Sequence, residues 1–156
     1  MLDWNQLCDE FRWDGSWRDI VVPETDISHW QQALDALRSS SFTLRYLRDG
    51  VESSLPFHAA QAFPAPGMAD RLLSVDVGGP ILNSHFFLET EIEFDLDPRE
   101  VQSQLELEGI VRFMRLLADA TGRDAVLTPE NMSHTHVLCV RPNDPRVEHR
   151  PFGGLA

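Results

Sequence analysis

The chain has no lysine: all 13 of its basic residues are arginine. Without a lysine amine, several kinds of site are excluded: a Schiff-base nucleophile, an attachment point for pyridoxal phosphate and the phosphate-binding lysine of a P-loop. The serines and the short Gly78-Gly79-Pro80 turn offer no nucleophile elbow or phosphate cradle in their place. We find no catalytic signature in the sequence and expect a protein that is not an enzyme and needs no cofactor.

Cysteine is also scarce, since the chain has only Cys8 and Cys139, near its opposite ends. Two such distant residues predict reduced thiols rather than a disulfide framework. The first residues, MLDWNQLCDEF, are acidic and lack the apolar segment of a signal peptide. No apolar run approaches the roughly 18–20 residues that cross a bilayer. We therefore expect a cytoplasmic protein with no membrane partner.

Positively charged residues are about half as numerous as acidic ones: the chain has 13 arginines and 25 acidic residues, and its net charge is −12. Such a field repels nucleic acid and anionic lipid, and it attracts cationic partners from a distance. The charge predicts a basic protein as partner and no binding of nucleic acid.

The length of 156 residues and the hydrophobic content of 42% suit one well-packed core. The pattern predicts a single α+β domain over residues 1–156, in which an antiparallel or mixed sheet carries one long and one or two shorter helices on one face. Apolar alternation and turn residues predict strands at 17–22, 42–47, 72–77, 85–96, 125–128 and 135–141. Apolar helical stripes predict helices near 4–11, at 28–39 and from 97 to 121, and residues 142–156 read as an irregular tail.

The start of the longest helix has a clear signal. Asp97 stands at an N-cap position, Pro98 follows at the first helical position, and Glu100 comes three residues after the cap. Gly122 supplies the stop. This helix is expected to be the central packing element.

The segment LETEIEFDLDP, residues 88–98, places an acid at every second position. On an extended strand, Glu89, Glu91, Glu93 and Asp95 share one face and lie about 6.5–7 Å apart. The residues between them, such as Ile92, Phe94 and Leu96, face inward. Each adjacent pair of carboxylates repels by about 0.6 kcal/mol in water, and an unpaired carboxylate would not stay ionised in a dry interior. The carboxylates of this row must therefore be exposed to water or paired with cations.

Three interpretations of this row stay open. It could be a solvated face that protects the sheet, with Arg18 and Arg45 as partial partners. It could dock a basic partner, which would explain why residues 86–108 hold eight acids and one arginine. Metal binding is a third interpretation, although a straight row diverges where a divalent cation needs oxygens that converge. A separate metal hypothesis uses His134 and His136, because an extended His134-Thr135-His136 segment would place two imidazoles on one strand face, with a third ligand from His85, His149 or a carboxylate.

With the acidic row on a strand, the chain resembles the bacterial immunity proteins, which are small, acidic, cytoplasmic α+β domains that neutralise a toxin. The resemblance is one of class and character over the whole chain. It implies inhibition by tight protein–protein binding, often of a basic nuclease toxin whose cleft is covered by carboxylates, and it makes Glu89, Glu91, Glu93 and Asp95 the partner-binding residues. The alternatives are a small metal-dependent hydrolase that uses His134 and His136, and an adaptor or scaffold subunit that docks another basic partner.

Overall fold

The computed structural model describes residues 2–67 and 70–152. In these ranges the helices are α1 (Trp4–Leu7), α2 (Ile27–Arg38), α3 (Ala59–Ala62) and α4 (Gln104–Thr121). The strands are β1 (Arg18–Pro23), β2 (Thr43–Arg48), β3 (Val51–Ser53), β4 (Arg71–Asp76), β5 (Ile81–Ser84), β6 (Glu91–Leu96), β7 (Ala125–Pro129), β8 (Leu138–Val140) and β9 (Val147–His149). No helix within the described ranges is long and apolar enough to span a bilayer.

All nine strands form one antiparallel sheet in the order β3-β2-β4-β5-β6-β1-β7-β8-β9. The predicted α+β class and single domain are confirmed, and the sheet is larger than expected. Part of the difference lies in the tail, which was wrongly predicted to be irregular. Its residues 147–149 pair with β8, and Val147 packs against the core while Glu148 faces the other way.

The helices cover one face of the sheet. Phe94 of β6 shows this directly, because its ring lies 6.4 Å from Trp30 of α2 and 4.9 Å from Phe113 of α4, measured between ring centroids. Ile92, Phe94 and Leu96 are all fully buried on this face, as the alternation predicted. No described helix covers the opposite face, toward which Glu91, Glu93 and Asp95 therefore point.

The predicted strand over residues 85–96 is wrong in its first half. β5 ends at Ser84, residues 85–90 form a loop, and β6 begins only at Glu91. The break lies at Phe86, whose φ of +54° is in the left-handed region that bulky residues rarely adopt. This turn buries the Phe86 ring in the core, so the alternation of inward and outward side chains is interrupted there.

The sequence also predicts that the strands at 72–77 and 85–96 pair as a hairpin, and this pairing is not the one observed. Residues 71–76 pair with β5 across the turn at Gly78-Gly79, whose two amides both donate to the carboxylate of Asp76. β6 instead lies between β5 and β1. The acidic row is consequently at the middle of the nine strands rather than at an edge.

The predicted start of the long helix at Asp97 is wrong as well. The Asp97 carboxylate accepts from the Arg99 amide at 2.9 Å, but it caps only a short 3-10 turn at residues 98–100. Val101 is then extended and buried, and this interrupts the helical backbone. α4 begins after Ser103, whose hydroxyl accepts from the Glu106 amide at 3.3 Å. The predicted stop at Gly122 is correct, with a φ of +69°.

Candidate protein-binding surface

The open face of the sheet carries a cluster of carboxylates that is wider than the predicted row. Antiparallel register places Asp19 of β1 directly opposite Asp95 of β6, and side chains opposite each other share a face. Glu130, just after β7, lines the same groove as Asp19, Glu93 and Asp95. We call these four residues and Glu91, which extends the row along β6, the acidic groove. The part of the groove lined by Asp19, Glu93, Asp95 and Glu130 encloses about 570 Å³ and is open to solvent.

The structure brings together three of the four residues predicted to bind a partner. Glu91, Glu93 and Asp95 are half-buried neighbours along β6. Glu89 is not on the strand, as was predicted; it is exposed in the loop, where its carbonyl oxygen accepts from the Thr25 hydroxyl at 2.8 Å. The break at Phe86 and the late start of β6 account for this displacement.

Sequence reasoning missed Asp19 and Glu130. The predicted strand at 17–22 includes Asp19, and strand alternation turns its side chain away from Ile20 and the core. Only the pairing of β1 with β6 and β7, however, brings it beside the acids of a segment some 70 residues away. Such register is a property of the assembled sheet and leaves no local signal in the chain.

Neither arginine suggested as a partner reaches the groove. Arg18 is buried and donates to the carbonyl oxygens of Glu10 at 2.9 Å and Arg12 at 3.0 Å. Arg45 forms an ion pair with Glu52 at 3.5 Å. Within residues 2–67 and 70–152, no ion pair joins an arginine to a carboxylate of the acidic groove.

His85 is the basic group that does lie at the groove. Its Nε2 atom is 3.8 Å from Oδ2 of Asp95, a distance that allows attraction but no hydrogen bond. The other oxygen of that carboxylate, Oδ1, has no access to solvent and no hydrogen-bond partner. Inside the chain, the charge of Asp95 is offset by His85 and by the side chain of Asn83.

The pKa values of the cluster follow from this geometry. Burial and the nearby charge of Glu93 raise the pKa of Asp19 to about 7, although a hydrogen bond from the Asn131 backbone opposes the rise. Burial raises the pKa of Glu93, with repulsion from Glu91 and Asp95 adding to it. Burial also raises the pKa of Asp95, and His85 opposes that rise. Ionising all the carboxylates of the groove therefore costs free energy, and a cation of a bound partner would lower that cost.

The histidine pair of the metal hypothesis is not on a strand, contrary to the prediction. β8 begins only at Leu138, so His134 and His136 lie in the preceding loop, and both are exposed. Among the residues that the structure describes, no group of three or more His, Cys, Asp or Glu side chains is arranged to hold a metal ion. The third ligand that this hypothesis needs is thus not supplied there.

Comparisons with models of protein families, with curated proteins and with solved structures found no match to this chain.

Proposed function

We propose that this chain is an immunity protein that neutralises a cognate toxin by protein–protein binding, with the acidic groove docked on a basic surface of the toxin. The observation that carries the proposal is the group of carboxylates on the open face of the sheet without arginine partners among the described residues. Such a cluster opposes folding through repulsion and burial, so its presence is best explained by a partner that compensates it.

The partial burial of these acids makes them suited to binding arginine or lysine. An ion pair at a fully exposed position contributes little, because water screens it and two long side chains must be ordered. Glu93 and Asp95 are held on a strand at the middle of the sheet, where the effective dielectric is lower and little ordering remains to be done. Charge-assisted hydrogen bonds from a partner would be strong in this setting.

A basic nuclease toxin fits the surface well. A nuclease cleft is lined with cations that receive regularly spaced phosphates. Carboxylates about 6.5–7 Å apart on β6 present a comparable series of negative charges. The net charge of −12 would also speed the encounter with a positively charged partner. Inhibition of this kind requires no catalytic residue, cofactor or metal in the chain.

The test is a double charge reversal, Glu91→Arg with Glu93→Arg, in a pull-down from the native host followed by measurement of affinity for the captured partner. We expect binding to weaken by several kcal/mol while the fold stays intact, since the substitution relieves repulsion within the chain. The matched control reverses Asp35 and Asp119, two exposed acids on the helical side, and changes the net charge by the same amount.

The proposal fails if the variant with arginine at both groove positions binds its partner as tightly as the wild type. Co-expression distinguishes immunity from an adaptor role, because the wild-type chain should restore growth to cells that produce the partner. A partner that is harmless when produced alone would favour the adaptor alternative. Stoichiometric zinc or manganese in the purified protein would instead favour the hydrolase.

A further inference from the structure

Two consecutive large apolar residues stand exposed beside the acidic groove. Phe87 is 74% exposed and Leu88 is 54% exposed, both in the loop between β5 and β6. Adjacent exposed apolar side chains with a charged surround are typical of interaction sites rather than of ordinary surface. Glu89 and Glu91 supply that surround immediately after them in the chain.

The loop that carries this pair is firmly held. Before the pair, the buried Phe86 ring packs against Trp30 at 5.2 Å and Phe63 at 5.3 Å between centroids. The Trp30 indole N–H donates to the Leu88 carbonyl oxygen at 3.1 Å. After the pair, the backbone amide of Thr25 donates to the Thr90 carbonyl oxygen at 3.0 Å. The backbone on both sides of the exposed residues is therefore fixed before any partner arrives.

The Phe87 side chain is also held in place, by contact with a neighbouring ring. Its ring stacks on the His85 imidazole, with centroids 5.2 Å apart and planes inclined by 15°. Because His85 also lies against Asp95, one imidazole joins the exposed ring to the acidic groove. A rigid aromatic residue loses little conformational entropy on binding, which is the property that binding hot spots share.

A concavity of about 140 Å³ lies between the exposed pair and the acids. Its walls include Phe87, Leu88 and the carboxylate-bearing residues Glu93 and Asp95. Apolar and anionic walls together suit an arginine, whose aliphatic stem contacts the first while its guanidinium meets the second. Charge complementarity thus identifies the occupant as a basic protein surface with apolar residues next to its arginines.

We propose that Phe87 and Leu88 form an apolar anchor that enters an apolar pocket of the partner, while arginines at the rim of that pocket pair with the acidic groove. The inference rests on the proposed function for the identity of the partner. It adds that affinity depends on the anchor as well as on the acids, which also attract and orient the partner.

The anchor can be tested without the natural partner, using two synthetic 12-residue peptides of equal charge. One alternates arginine with tryptophan and leucine, and the other alternates arginine with serine. We expect the apolar peptide to bind the wild-type chain at least about tenfold more tightly in calorimetry, because it offers both kinds of contact. Phe87→Ala should reduce this advantage to within about threefold, and thermal unfolding should confirm that the exposed substitution leaves the fold intact.

Phe57→Ala is the matched control, since Phe57 is a comparably exposed aromatic residue, at 72%, that does not line the concavity of about 140 Å³ beside Phe87. This variant should keep the full advantage of the apolar peptide. Equal binding of the two peptides by the wild type, or an advantage that survives Phe87→Ala, would show that the anchor is wrong. The groove is judged separately by Glu91→Arg with Glu93→Arg, which should weaken both peptides. If the double reversal leaves the affinities of both peptides unchanged, the proposed role of the acidic groove in binding is wrong instead.

Discussion

Asp19 carries the largest electrostatic cost in the groove, since its pKa of about 7 lies well above the ordinary value of 3.8. In the unfolded chain the carboxyl ionises near pH 4, whereas in the folded chain it keeps its proton until about pH 7. Folding is therefore favoured by this group at low pH, and that contribution is lost as the pH rises from about 4 to 7.

Asp19→Asn should remove this dependence, because the amide keeps the shape without the charge. We expect the variant to be more stable than the wild type at pH 8 by about 1–2 kcal/mol, after allowance for contact of the carboxyl with water, and nearly equal to it at pH 4. Urea unfolding at the two pH values measures the difference. Asp35→Asn on the exposed side of α2 serves as control, and an unchanged pH profile for Asp19→Asn would contradict the assignment.

The same residues mark a limit of prediction from sequence. That Asp19 faces away from Ile20 is a local property, because strand alternation fixes it. That it stands opposite Asp95 depends on a pairing between distant segments. The candidate site was thus half predictable: Glu91, Glu93 and Asp95 follow from their own strand, while Asp19 and Glu130 join them only in the folded sheet.

At the level of elements, α4 packs closely at Gly109 against the backbone of Val77, the residue that follows β4. A β-carbon built there would lie 2.2 Å from the carbonyl oxygen of Val77, a rigid backbone atom. Gly109→Ala should therefore destabilise the fold by about 1–3 kcal/mol, although alanine is the better helix former by about 1 kcal/mol. A lower denaturation midpoint checks this, and a raised midpoint would show that α4 can shift away without loss.

The elements also show where local signals compete. Asp97, Pro98 and Glu100 have every feature of a helix start, yet they form a single 3-10 turn because the buried Val101 follows in extended conformation. The Glu100 carboxylate then accepts from the Ile81 amide at 3.1 Å, a contact with another strand. The apolar stripes of α2 and α4 were predictable because periodicity over three or more turns outweighs such local ambiguity.

For the whole molecule, the net charge of −12 should appear in the kinetics of binding. The association rate with a basic partner should fall steeply between 50 and 500 mM salt, as the screening length shortens from roughly 14 Å to roughly 4 Å. Stopped-flow or surface-plasmon measurements give this slope. Charge reversal of Glu91 and Glu93 should reduce this salt dependence more than charge reversal of Asp35 and Asp119, because only the first pair lies where the partner docks. Equal salt dependence in the two variants would instead indicate attraction by the net charge alone.

The strand order has a consequence for how the chain is made. β1 is synthesised first, yet it lies between β6 and β7, which follow it by about 70 and 100 residues. On the ribosome it must wait for both neighbours, and closing such long loops slows folding. Since Glu130 follows β7, a nascent chain that stops before β7 has no complete groove. The competence to bind a partner would then arise only after β7 and Glu130 have been made, together with the closure of the sheet around β1.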